Sequence, residues 1–245
     1  LEKIVKGVIL AGGTGSRLYP LTKVINKHLL PVGKKPMIFH PVERMVEAGI
    51  KDIMIISGTS HMGSVFNLLG SGVDFGCTFT YKVQDKPNGI GGALLLCETF
   101  VRDESCMVIL GDNIFTCNLR SHVQKYNDTV KDGCIVFLRE VEDPHRYGVA
   151  TIDKDKNLVK ITEKPDNPDS NLCITGIYIY DKEVFEIIKK TNPSQRGEIE
   201  ITDINNEYIK RKKTNFFLLG GMWTDAGTWS SYKAANDFFN DKESE

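Results

Sequence analysis

Three groups of residues in this chain have the types and spacing to act on phosphate. An apolar run ends in Leu10-Ala-Gly-Gly-Thr-Gly-Ser-Arg-Leu-Tyr-Pro20, where Gly12, Gly13 and Gly15 bare backbone N–H groups and Arg17 adds an always-protonated fork. Bare amides at the carboxyl end of a buried strand can wrap an anion, because no Cβ blocks its approach. The glycines alone would serve equally as a tight strand-to-helix connection; Arg17 tips the reading toward phosphate. The loop is not a Walker A motif, since no Gly-Lys-Ser/Thr follows, and Leu18 stands where a dinucleotide fold needs its third glycine. Asp112, after Met107-Val-Ile-Leu-Gly, and Asp225, in Trp223-Thr-Asp-Ala-Gly-Thr228, are hard oxygen donors. Converging beside a triphosphate they would suit Mg2+, which takes one or two carboxylates plus phosphates and waters. Spacing does not bring them together, and taken singly each reads first as a cap of a helix or turn. Glu163-Lys164-Pro165 offers a carboxylate for two hydroxyls beside an ammonium for a phosphate, although such pairs are more often solvated turns. The five histidines form no His-x-x-x-His or triad-like grouping, so nothing supports a hydrolase.

These groups need a scaffold, and short β-branched runs alternating with helical patterns supply it: Lys6–Leu10, Asp52–Ile56, Thr78–Lys82, Met107–Leu110, Cys134–Leu138 and Gly176–Tyr180. The alternation predicts an α/β fold with a largely parallel sheet covered on both faces. Met37 to Ala48 reads as a packing helix stopped by Gly49. Val149–Ile152 and Leu158–Ile161, separated by Asp153-Lys-Asp-Lys-Asn157, read as an inserted hairpin. No repeat or linker interrupts the 245 residues, and 41% hydrophobic content suffices for a large core, so one domain is expected, spanning 1–245. The 31 lysines and arginines nearly balance 32 aspartates and glutamates, which argues against nucleic acid and anionic membranes as partners. Six cysteines without a CxxC pair, and no apolar run long enough for a bilayer, lead us to expect a soluble, cytoplasmic protein. Asp241 to Glu245 reads as a frayed tail.

The glycine loop continues into Asn26-Lys27-His28-Leu29-Leu30-Pro31, and at this length the chain resembles the nucleoside-diphosphate-sugar pyrophosphorylases, most closely their thymidylyltransferase branch. The resemblance runs from Lys6 to about Phe239. It implies a Rossmann-like, mostly parallel but mixed sheet, with a nucleotide half up to about residue 115 and a sugar-phosphate half over about 116–240. By the same resemblance, Leu10, Gly12, Gly13, Thr14, Gly15, Arg17 and Lys27 hold the nucleotide, and Gln84 and Gly89 contact its thymine or uracil. Tyr147, Gly148, Glu163, Lys164, Ile174 and Thr175 take the sugar phosphate, while Asp112 and Asp225 bind Mg2+. Arg17, Lys27, Asp112 and Lys164 then carry catalysis, with dTTP and glucose 1-phosphate as the implied substrates; homo-oligomerisation is left open. Arg196-Gly-Glu-Ile-Glu-Ile-Thr-Asp-Ile-Asn205 matches a further motif whose polar residues either order the sugar side or cap and pair among themselves. Three departures stand out: Ala226 where relatives carry threonine, Gly91 for alanine and His28 for glutamine. The competing readings are transfer of a uridylyl group, another hexose 1-phosphate, or a non-catalytic nucleotide-sugar-binding regulatory subunit.

Overall fold

The computed structural model describes residues 5–130 and 132–241, so the expected frayed tail lies, beyond Asp241, outside the described residues. Strands β1 (Val5–Ala11), β4 (Asp52–Gly58), β5 (Thr78–Gln84) and β6 (Ser105–Leu110) form the parallel part of the main sheet, in the order β5-β4-β1-β6. Between β1 and β4 lie the short strands β2 (Pro31–Val32) and β3 (Lys35–Pro36) and helix α1 (Phe39–Glu47). Helices α2 (Met62–Leu69), α3 (Gly89–Leu95) and α4 (Glu98–Val101) complete this half. Past β6, a short strand β7 (Asn113–Phe115) and helix α5 (Arg120–Lys125) lead to β8 (Cys134–Glu140). The expected hairpin is present as β9 (Gly148–Ile152) and β10 (Leu158–Glu163), paired antiparallel. β11 (Leu172–Tyr180) then runs antiparallel to β6, β8 and β9 and joins both halves into one mixed sheet. Helices α6 (Glu183–Lys190) and α7 (Ile201–Lys210) precede β12 (Thr214–Leu218), which adds parallel to β8. The chain closes with β13 (Trp223–Asp225) and α8 (Trp229–Asp241).

The central strands are apolar almost throughout because both faces are covered. Their side chains divide by parity: Val8, Val108, Val136 and Tyr178 pack on one face against α3, α6 and α7, while Ile9, Ile109, Phe137 and Ile177 pack on the other against α1, α2 and α5. Helix α1 begins at Phe39, two residues later than its pattern suggests. Met37 N–H instead donates to Leu30 O (2.8 Å) and Ile38 N–H to His28 O (2.8 Å), so both belong to the turn ahead of the helix, Met37 buried with Val32 and Ile114 and Ile38 in the cluster that holds Ile9. Because β1, β4, β5 and β6 run parallel and in register, Ala11, Gly58, Gln84 and Leu110 all finish at one edge of the sheet. Ligands of open α/β sheets bind outside such an edge.

Candidate active site

The glycine loop leaves β1 at that edge and turns into successive 3₁₀ turns rather than an α-helix. Gly15 has φ of 68°, a left-handed conformation closed to most side chains, and a Cβ there would stand 2.9 Å from Thr22 Cγ2. Thr22 Oγ1 donates to Gly15 O (2.6 Å) and holds the turn from below. Asn26 caps the turn that follows, its Oδ1 accepting from His28 N–H at 2.8 Å. This cap sends Lys27 inward, to within reach of Gly13, where its Nζ donates to Asp112 Oδ2 at 2.5 Å. Lys27 is thus a buried cation beside the glycine amides, and not a solvated amine. Gln84, at the end of β5, lays Oε1 against Gly12 and donates its Nε2–H to Asn88 Oδ1 (3.0 Å), which leaves Oε1 as an acceptor at the rim. Gly89 has φ of 90°, and a Cβ there would stand 2.7 Å from Ile199 O. Leu10, Gly13, Lys27, Gln84, Gly89 and Asp112 line a cavity of about 280 Å³.

His28 faces the same cavity. Burial, reinforced by the charge of Lys27, pushes its imidazole down to about 3. Its Nδ1 lies 2.7 Å from Asn26 Oδ1, an oxygen that only accepts, so Nδ1 carries the proton and Nε2 is a bare acceptor.

A second cavity, of about 190 Å³, opens on the other side of Asp112. Tyr147 and Gly148 enter it from the start of β9, and Glu163 and Lys164 from the end of β10, opposite one another in the hairpin. Glu163 Oε2 accepts from Thr202 Oγ1 at 2.6 Å and Oε1 pairs with Lys164 Nζ at 3.0 Å. Lys164 N–H donates to Tyr147 O (3.0 Å), and its φ of 42° swings the side chain off the strand. Ile174 and Thr175 line the back wall, where pairing of β11 with β8 breaks between Ile174 and Tyr178. There Thr175 Oγ1 donates to Phe137 O (2.9 Å) and Gly176 N–H donates to Asn113 Oδ1 (2.9 Å).

The two aspartates meet. β7 and β13 pair antiparallel with Asn113 opposite Asp225, and Ala226 N–H donates to Asp112 O at 2.9 Å. A Cβ built on Gly227 would stand 3.3 Å from Asp112 Oδ2, 3.7 Å from Asp225 Oδ2 and 3.4 Å from Arg17 Nη2, so both carboxylates and the guanidinium border one small cradle. Burial alone would push the Asp112 carboxyl up; Lys27, His28 and the bonds from Lys27 and Asn113 together hold it well below the usual carboxylate range. Asp225 is shifted upward by burial and then by repulsion from Asp112, which Arg146, Tyr147 and Arg17 only partly offset. Two partly buried anions this close favour a divalent cation, and two carboxylates is the number Mg2+ takes when substrate phosphates supply further ligands. The residues therefore fit the ion.

Residues 6–242 match the nucleotidyl transferase family. This chain belongs to that family. Among its curated relatives, a glucose-1-phosphate thymidylyltransferase of Neisseria meningitidis is 39% identical over 96% of this chain and 82% of its own. One from Xanthomonas campestris is 42% identical over 95% and 80%. A crystal structure from Bacillus anthracis, described as a glucose-1-phosphate thymidylyltransferase in complex with a sucrose, superposes with a TM-score of 0.93 at 54% identity, covering 97% and 96% of the two chains. UDP-glucose pyrophosphorylase complexed with UDP-glucose superposes at 0.87 with 30% identity, over 98% and 99%.

The nucleotidyl transferase fold thus gathers residues remote in sequence at one edge. Leu10, Gly12, Gly13, Lys27, Gln84 and Gly89 line the first cavity, the exposed Thr14 and half-buried Gly15 continue the loop beyond it, and Arg17 lines the second cavity instead. Tyr147, Gly148, Glu163, Lys164, Ile174 and Thr175 line the second, and Asp225 joins them. The Arg196 motif divides: Thr202 supports Glu163, whereas Arg196 pairs with Glu200 (2.9 Å) and Asn205 accepts from Tyr180 in the core (2.6 Å). Two residues escaped the sequence reading. Asn113 ties together Asp112, Gly176 and Trp223, and Arg146 reaches Asp225. Asn113 follows Asp112 directly and Arg146 precedes the Tyr-Gly pair, but nothing local marks either as a support.

Proposed function

We propose that this chain transfers a thymidylyl group from dTTP to glucose 1-phosphate, giving dTDP-glucose and pyrophosphate. The observation that carries this reading is the position of Asp112, which lines both cavities and stands at their seam beside Asp225. The nucleotide lies in the first cavity, its base at Gln84 and Gly89 and its phosphates against Gly12, Gly13, Thr14 and Gly15. Residues to about 115 do this work, and those from about 116 hold the sugar phosphate, within one nucleotidyltransferase unit. Glu163 accepts from the sugar hydroxyls beside Tyr147 and Gly148, and Lys164 holds the sugar's phosphate. A phosphate oxygen of the sugar attacks the α-phosphorus; the new P–O bond forms as the bond to the β-phosphate breaks and pyrophosphate leaves. No protein nucleophile takes part. Such reactions depend on positioning and charge neutralisation. Mg2+, held by Asp112 and Asp225, would neutralise charge on the bridging phosphates. Arg17 and Lys27 stabilise the departing pyrophosphate, and Lys164 orients the attacking group.

Free thiols at all six cysteines suit a reducing compartment such as the cytoplasm. Among the described residues no helix is long and apolar enough to cross a membrane.

Incubating the purified chain with dTTP, UTP, CTP, ATP or GTP against several hexose 1-phosphates, with mass analysis of the products, tests the proposal. dTDP-glucose and pyrophosphate are the expected fastest products. Faster formation of UDP-glucose would replace the thymidylyl reading with the uridylyl one, which the likeness to UDP-glucose pyrophosphorylase supports. No product from any pair would leave only a binding role.

A further inference from the structure

Arg146 lies outside every role assigned above. It ends the 3₁₀ turn Pro144–Arg146, ahead of β9, at the mouth of the sugar-phosphate cavity. Its Nη2 donates to both oxygens of Asp225, at 3.2 Å each, and to Thr228 Oγ1 at 3.4 Å. Tyr147 OH adds a bond to Asp225 Oδ1 at 3.0 Å. Nη2 thus bonds both carboxylate oxygens, whose lone pairs a divalent cation would use. The guanidinium is not locked in. A third of its side chain is exposed, and among the described residues its remaining contact is with the Tyr147 ring, 5.3 Å from Cζ to the centroid. The same cavity also presents Arg17 and Lys164, so a displaced Arg146 stays among groups aimed at an anion. Charge gives the exchange a direction. Asp112 is neutralised by Lys27 and Asp225 by Arg146, and a dication inserted between them leaves two surplus positive charges that phosphates can take up.

We infer that Arg146 competes with the divalent cation for Asp225 and, once displaced, pairs with the phosphate of the incoming sugar. The inference rests on the proposed reading of Asp112 and Asp225 as the metal pair. It couples cation binding to sugar-phosphate binding through one side chain.

The test reads metal binding directly, with Mn2+ titrated into the full chain and followed by electron paramagnetic resonance, with and without glucose 1-phosphate. Arg146→Ala should bind Mn2+ about fivefold more tightly than wild type in the absence of sugar phosphate, because a competing ion pair has been removed. In turnover assays the same variant should raise KM for glucose 1-phosphate by about tenfold or more while KM for dTTP changes little. Arg146→Lys, which keeps the charge without the fork, should restore the weaker Mn2+ affinity and only part of the KM. A purely structural role would weaken Mn2+ binding or leave it unchanged in Arg146→Ala, and either result overturns the inference. Wild-type binding of Mn2+ that Asp112→Asn abolishes keeps the metal pair intact whatever Arg146 does; no Mn2+ binding by wild type would take down both readings.

Discussion

The two sides of the cleft are built by different physics. On the side proposed for the nucleotide the groups on offer come largely from backbone at the ends of parallel strands: bare amides of the glycine loop, Gly89 pressed against Ile199, and Gln84 fixed by Asn88. The charges there, Lys27 and Asp112, are mostly buried and joined to each other. On the side proposed for the sugar phosphate the groups on offer are side chains of the antiparallel hairpin and its neighbours, held by one another: Glu163 by Thr202 and Lys164, Asp225 by Arg146 and Tyr147. Half of the Lys164 side chain is exposed. A backbone cradle suits the polyphosphate shared by all nucleotides, whereas a ring of side chains can be retuned for one sugar. Asp112, at the seam beside Asp225, belongs to both.

The seam is therefore where the largest effect is expected. Asp112→Asn removes one charge from the proposed metal pair and leaves Lys27 without its counter-charge. We expect turnover to fall on the order of 10³-fold, about 4 kcal/mol, with the circular dichroism spectrum unchanged. Near-normal turnover would show that the two sides do not share a metal. Next comes the sugar side itself. Lys164→Met should raise KM for glucose 1-phosphate by roughly 10²-fold, the worth of one charge-assisted contact, and leave KM for dTTP alone. Equal losses for both substrates would mean that the cleft is not divided as described.

How much of this was legible in the sequence follows the same division. The glycine loop and Asp112 are local motifs at strand ends, so pattern and position already placed them at the binding edge, whereas Gln84 stood out only through the family resemblance. The hairpin was equally plain, because alternation and a polar turn sit within a short stretch. What could not be read was pairing over distance. β7 and β13 are three residues each, too short for any periodicity, yet their register is what brings Asp225 beside Asn113 and Asp112. β12 was missed because Asn215 and Phe216-Phe217-Leu218 do not alternate cleanly, and its parallel register with β8 is set by the sheet around it. The inward course of Lys27 depends on the Asn26 cap, which a sequence shows only as one asparagine among many.

The halves also differ in their response to acid. Among the described residues the buried histidines, His28 and His40, both lie before residue 115, while beyond it His122 is half-buried, its imidazole also lowered by burial, and His145 is exposed. Burial pushes His40 down to about 4, although its bond to Val32 O favours the charged ring. The unfolded chain takes up this proton near pH 6.5 and the folded chain does not, so stability present above that pH is lost as pH falls toward the folded value. Between pH 7 and 5 this one group should cost about 2 kcal/mol of unfolding free energy. Urea titrations at the two pH values should show the decline shrinking by that amount in His40→Gln; an unchanged decline would mean that the imidazole is protonated in the fold.

The smallest effect concerns His28, where this chain has an imidazole in place of the glutamine of similar enzymes. With Nδ1 committed to Asn26, the ring offers the nucleotide cavity only an acceptor at Nε2. On the proposed reading the deoxyribose crosses from the base at Gln84 to the phosphates at Gly13, and its one free hydroxyl, at C3′, is a donor that such a nitrogen can receive. Replacing His28 with leucine keeps much of the volume and removes the acceptor, which should lower kcat/KM for dTTP about fivefold, the worth of a neutral hydrogen bond near 1 kcal/mol. Glutamine, whose carbonyl also accepts, should recover most of that loss. Equal values for all three side chains would mean that His28 only fills space, and the nucleotide side would then depend still more completely on its backbone.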